Sequence, residues 1–121
     1  MRTVFTSKDA VPFDEELIVL VANPDFLAKH GPVVKDFLSD LVAATKFYET
    51  HRKEAQKALI DAKVTRIPAD VYFAMPDYER SPDGHVNIDS LKKMQDLQIK
   101  AGFQDKPVDV EKIVDMSYLP K

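Results

Sequence analysis

Three histidines hold most of the reactive potential of this chain: His30, His51 and His85. On a helix His51 and Glu54 would share a face, as would His85 and Asp89, so each pair brings two metal-binding groups together. A zinc site needs three or four ligands, and no third joins either pair, which favours solvated or capping histidines and no metal. Cysteine is absent, which removes disulfides, zinc thiolates and thiol nucleophiles. Ser7, Ser39, Ser81, Ser90 and Ser117 all lie outside a G-x-S-x-G elbow. Three glycines in all do not build a phosphate-cradling loop. Acidic neighbours such as Glu15 and Glu16 border an apolar run or lie on exposed helix faces, where solvation outweighs acid–base work. These residues argue for no enzyme and no cofactor.

Binding is a better prospect than catalysis. Val71, Tyr72, Phe73, Met75 and Tyr78 form the densest aromatic cluster, framed by Pro68 and Pro76. Flat aromatic walls with a few polar groups are what small-molecule sites use, although such rings also pack a loop onto its neighbours.

A chain of 121 residues fits one domain, here taken as 1–121. With 45% hydrophobic and 31% charged residues it has the balance of a globular protein and not of a disordered one. The net charge is −3 and the basic residues are scattered, so the electrostatic footprint of a nucleic-acid binder is missing. Leu17 to Ala22 is the longest apolar run, far short of a bilayer span. The stretch MRTVFTSKDA has no apolar core, so no signal peptide is expected in it, and an exported form would carry one upstream of Met1.

The positioning elements follow from periodicity. Arg2 to Thr6 is β-prone, Ser7 to Asp14 reads as loop, and Glu16 to Ala22 (ELIVLVA) reads as a strand buried on both faces. Asn23 caps one helical turn with Pro24 at its first position, and Gly31-Pro32 restarts a helix over Val33 to Glu49. That helix is expected to bury Val34, Phe37, Leu38, Leu41, Ala44, Thr45 and Tyr48. Thr50 is positioned to cap a second helix in which Ala55, Ala58, Leu59 and Ala62 make a narrow stripe of small residues. Pro68 to Ala74 makes a short helix stopped before Pro76, and Ser81 to Gly84 a turn. Asn87 caps a helix that ends at Gly102 with Phe103 as its apolar contact, and Asp109 caps a last segment burying Val110, Ile113 and Val114. The expected fold class is α/β and helix-rich: two short strands with four to five helices.

Two runs carry a resemblance. Residues 4–38, VFTSKDAVPFDEELIVLVANPDFLAKHGPVVKDFL, and the later PDGHVNIDSLKKMQDLQIKAGF with KPVDVEKIVDMSYLP, resemble in order and spacing the C-terminal part of nitrate/sulfonate/taurine-type periplasmic solute-binding proteins. Relatives in that family bind a thiamine pyrimidine precursor. The resemblance covers nearly all of this chain and about the last third of the family's length. It implies a C-terminal portion of a two-lobe periplasmic-binding-protein-like fold, whose lobes close on a small polar solute and dock on an ABC permease. It also implies a periplasmic or lipid-anchored extracytoplasmic location for the whole protein, and a tail that ties back onto a lobe. By the same resemblance Thr6, Ser7 and Asp9 lie near the crossover between lobes, where they would bind a polar solute or satisfy a turn. Tyr72, Phe73 and Tyr78 are the aromatic candidates for the cleft. Two alternatives remain: a stand-alone helical interaction module, and a thiamine-pyrimidine synthase-like enzyme on the same scaffold. A strand as apolar as ELIVLVA with so little to pair with also predicts a homo-oligomer built through the N-terminal strands.

Overall fold

The computed structural model describes residues 4–121, and its architecture overturns the α/β expectation: helix accounts for 54% and there is no strand among the described residues. Arg2 and Thr3, two of the five residues of the first expected strand, lie outside the described residues. Val4 to Thr6 does not pair, and Thr6 instead caps helix α1, Ser7–Ala10, where a loop was expected. Glu16 to Ala22 has strand-forming side chains but no ladder to join, and a lone run gains nothing from β-propensity without a partner strand. The burial expected of it fails as well, since Leu17 is 70% and Val21 91% exposed.

The chain packs as two units, each built from two separated stretches. The first comprises Met1–Ala22 and Val86–Met116, the second Asn23–His85 and Ser117–Lys121.

In the first unit α5, Ile88–Lys100, packs with α6, Val110–Ile113. Asn87 caps α5 as its sequence demands, its side-chain oxygen accepting the Ser90 N–H at 3.0 Å. The reciprocal half of this capping arrangement comes from far away. Glu16 Oε1 accepts the Asn87 N–H at 2.9 Å, doing what an N3 carboxylate does in a local capping box. The helix closes in a Schellman motif: Phe103 N–H donates to the Gln98 carbonyl at 2.8 Å, Gly102 N–H to Ile99 at 3.0 Å, and Gly102 takes φ +78°. The apolar contact expected of Phe103 is not made, for its ring is 86% exposed. Val110 is buried, but Ile113 on the same short helix is 69% exposed, because a four-residue helix cannot bring both residues onto one packed face. Asp109 pairs with Lys112 and makes no side-chain cap bond.

In the second unit α2, Pro24–Thr50, packs on α3, Arg52–Asp61, which packs on α4, Ala69–Ala74. The two helices expected around Gly31-Pro32 are both present: the run from Pro24 to Thr50 is broken by a kink at His30, whose φ −128° and ψ 24° are not helical, because Pro32 has no N–H to donate and its ring crowds the preceding turn. Asn23 caps its start through bonds from the Asp25 and Phe26 amides. Of the residues expected inside, Val34, Leu38, Thr45 and Tyr48 are half-buried in a stripe around the buried Val42, whereas Ala44 is exposed and Phe37 and Leu41 face outward at 55% and 40% exposure. Thr50 does not cap α3. Its hydroxyl donates back to the Lys46 carbonyl at 2.8 Å, and His51 takes the N-cap position without a side-chain bond to the helix amides. In α4, Met75 is held extended ahead of Pro76, as the pre-proline clash requires.

Residues Ser117–Lys121 return to this unit. A Cβ on Gly31 would lie 3.3 Å from Tyr118 Cε1, and one on Gly84 would lie 3.0 Å from Leu119 Cδ2 and 3.3 Å from Val42 Cγ2. Gly84 also has φ +78°, so both its backbone and its neighbours exclude a side chain.

Candidate functional site

Thr6, Ser7 and Asp9 come together in the first unit, but on each other. Thr6 N–H and Oγ1 both donate to Asp9 Oδ2, at 2.6 and 3.0 Å, and Ser7 opens the exposed helix that they cap. The hydrogen bond from the Thr6 amide, helped by the one from its hydroxyl, lowers the Asp9 pKa. Thr6 and Asp9 thereby satisfy the turn that opens this helix. Beside them is a shallow hollow of about 350 Å³ lined by Lys8, Val11, Pro12, Phe13 and Asp14. Lys8 and Asp14 pair at 3.2 Å, and Lys93 Nζ lies 5.7 Å from the Phe13 ring centre.

Tyr72, Phe73 and Tyr78 lie in the second unit, around the segment that leaves α4. There the sequence reading missed the dominant group. Arg80 lies between two tyrosine rings, its guanidinium carbon 4.2 Å from the Tyr48 centroid and 4.1 Å from that of Tyr78. In the guanidinium plane it grips Asp77 with both nitrogens, Nη1 to Oδ2 at 2.9 Å and Nη2 to Oδ1 at 3.0 Å. Tyr48 Oη donates to the same carboxylate at 2.8 Å, the Tyr78 amide at 2.9 Å, and Arg52 stands 3.7 Å away. Glu49 completes the ring of charge at 3.4 Å from Arg80.

Electrostatics follow from that geometry. The Arg80 hydrogen bonds hold Asp77 down at about 2, with Tyr48 and the Tyr78 amide adding to the effect. Burial pushes Tyr48 up to about 12, aided by its bond to Asp77. Arg80 is raised still further above its ordinary value by the bond to Asp77. At neutral pH all three are therefore locked in one charge state, which suits a structural clasp and not proton transfer. The clasp pins residues 77–80 onto α2, and two further bonds secure α4 to α3: Gln56 Nε2 donates to the Tyr72 carbonyl at 3.4 Å, and Arg52 Nη2 to that of Met75 at 3.3 Å.

Of the aromatic candidates, Tyr78 spends one face on Arg80 and keeps 52% of its surface open; Phe73 keeps 43%. Tyr72 is half-buried and contributes its backbone carbonyl. The structure thus places the six candidates in two groups, Thr6, Ser7 and Asp9 in one unit and the three aromatics in the other. The signal that could have found the clasp is Asp77-x-x-Arg80 with a tyrosine between, though only the fold brings Tyr48 to it.

The histidines are accounted for singly. His30 meets Phe26 at 4.7 Å, His51 stacks on Phe47 at 4.8 Å, and His85 pairs with Asp83 at 3.1 Å. Among the described residues no cluster of three or more His, Cys, Asp or Glu could hold a metal ion, and no helix is long and apolar enough to cross a membrane.

Comparison with protein-family models, with curated proteins and with solved structures finds no match.

Proposed function

We propose that this chain serves as part of the solute-binding component of an ABC importer, in the position of that protein's C-terminal portion. The order of its motifs suggests the family. The observation that supports the reading is the open run of residues 17–22, five of them large and apolar and 45% to 91% exposed. An apolar run left this open is suited to being covered by further polypeptide of a larger two-lobe protein. On this reading the chain supplies helices and the closing tail of a lobe, while further polypeptide supplies most of the ligand contacts. Its own contribution to the cleft would come from the exposed faces of Phe73 and Tyr78, with the Arg80–Asp77 clasp holding the second of these rings in place. The solute would be small and polar, such as a sulfonate, nitrate or a pyrimidine, and the closed form would dock on a permease.

The same open run favours a second reading, a helical interaction module that completes itself on a partner. Reading the DNA immediately upstream of Met1 separates them. An in-frame signal peptide followed by the opening strands of a first lobe is expected. A ribosome-binding site placed for Met1, with no such frame, would overturn the importer reading in favour of the module.

A further inference from the structure

We infer that two copies of this chain associate through residues 17–22, pairing antiparallel across a two-fold axis near Val19 and Leu20. This follows from the open backbone of the run in this chain by itself, and it competes with the importer reading for the same segment. No hydrogen bond, backbone or side chain, is made by residues 17–22 among the described residues, so a row of donors and acceptors stands open. Their side chains are Leu17, Ile18, Val19, Leu20, Val21 and Ala22, without a charge, a glycine or a proline. An unpaired apolar run of this kind recruits another strand, and an identical one fits it by symmetry.

The flanking residues choose the direction. In a parallel pair Glu15 and Glu16 of both copies would stand side by side, and like charges directly opposite oppose pairing. In the antiparallel pair those acids face the Asn23-Pro24 end of the other copy, where the run stops because Pro24 has no N–H and α2 begins. Pairing is thus confined to the six residues between.

The magnitude sets the kind of dimer. Five aliphatic side chains, each offering about 60–120 Å² when fully open, expose roughly 400–800 Å² over both copies, which is the upper bound on what pairing buries. That is below the standard interface of about 1,200–2,000 Å², so the association is reversible and concentration-dependent, not obligate.

Light scattering on the full chain from micromolar to near-millimolar concentration, together with amide hydrogen exchange, tests this. Mass is expected to move from one copy to two as exchange at residues 17–22 slows at least tenfold, while Val19→Pro and Ile18→Lys stay monomeric throughout. Circular dichroism guards against misfolding, since residue 19 lies outside every helix; if a variant loses helix, the wild-type exchange pattern decides alone. A wild type that stays monomeric overturns the proposal, as does a dimer whose amides at 17–22 still exchange freely. A Val19→Pro chain that dimerises like wild type, or growth into open-ended fibres, overturns it too.

Discussion

Replacing Asp77 by Asn keeps the shape of the clasp and removes its charge. The Asp77 side chain is only 17% exposed and Arg80 only 20%, so the pair is partly sheltered, although the segment that carries it runs along the surface. Asp77 is held at about 2 against an ordinary value of 3.8, which corresponds to about 2 kcal/mol in favour of the folded, ionised form. Screening by solvent trims this to about 1–2 kcal/mol. The sign follows from the lowered pKa: the contribution is complete above pH 3.8 and is lost as pH falls through the folded value of about 2. Urea denaturation of wild type and Asp77→Asn at pH 7 should therefore differ by about 1–2 kcal/mol, with a melting temperature lower by roughly 5 °C. The same comparison near pH 2 should show the gap mostly closed, because the unfolded Asp77 is then protonated and the folded one about half protonated. Equal stabilities at pH 7, or a gap that persists unchanged into strong acid, would refute the electrostatic account of the clasp.

At the alkaline end, Tyr48 is pushed up to about 12, so its contribution is present below pH 10 and fades as pH rises toward that folded value; Tyr48→Phe should flatten this alkaline loss in a stability–pH profile. Gly84→Ala should cost about 2 kcal/mol, from positive φ plus contact with Leu119 and Val42, whereas Gly102→Ala should cost only about 1 kcal/mol because nothing lies within 4 Å of its Cβ position; equal losses in thermal denaturation would falsify the packing half of that difference. The chain alone should bind taurine, sulfonates, nitrate or pyrimidines weakly or not at all, and tight calorimetric binding abolished by Tyr72→Ala would show that the cleft lies here after all.

Several local signals hold in the structure, though the caps expected of Thr50 and Asp109 do not form. Asn23 and Asn87 cap helices because their short side chains reach amides two or three residues on, and Gly102 and Met75 take the backbone conformations that their own neighbours dictate. The larger differences arise where the outcome depends on residues distant in sequence. The run from Glu16 to Ala22 has the composition of a strand, but pairing is a property of two segments, and no second one takes it up. Helical period placed Phe37 and Leu41 in the core, whereas the packed stripe is rotated onto Val42, a position that depends on where Leu119 returns. Of the site, the aromatic segment was visible, but its organiser was not: Arg80 matters because Tyr48, from another helix, covers its second face.

The interleaved chain path has a consequence for how this protein is made. Neither unit is a continuous stretch: Val86–Met116 of the first separates His85 from the Ser117–Lys121 segment of the second. On the ribosome, α2, α3 and α4 emerge early, but Tyr118 and Leu119, which close over Gly31 and Gly84, are not yet translated. At about 5–20 residues per second, the stretch between takes a few seconds to synthesise. For that interval the nascent second unit is a helical assembly without its closing residues, and this is the window in which a chaperone or a neighbouring nascent chain would meet it.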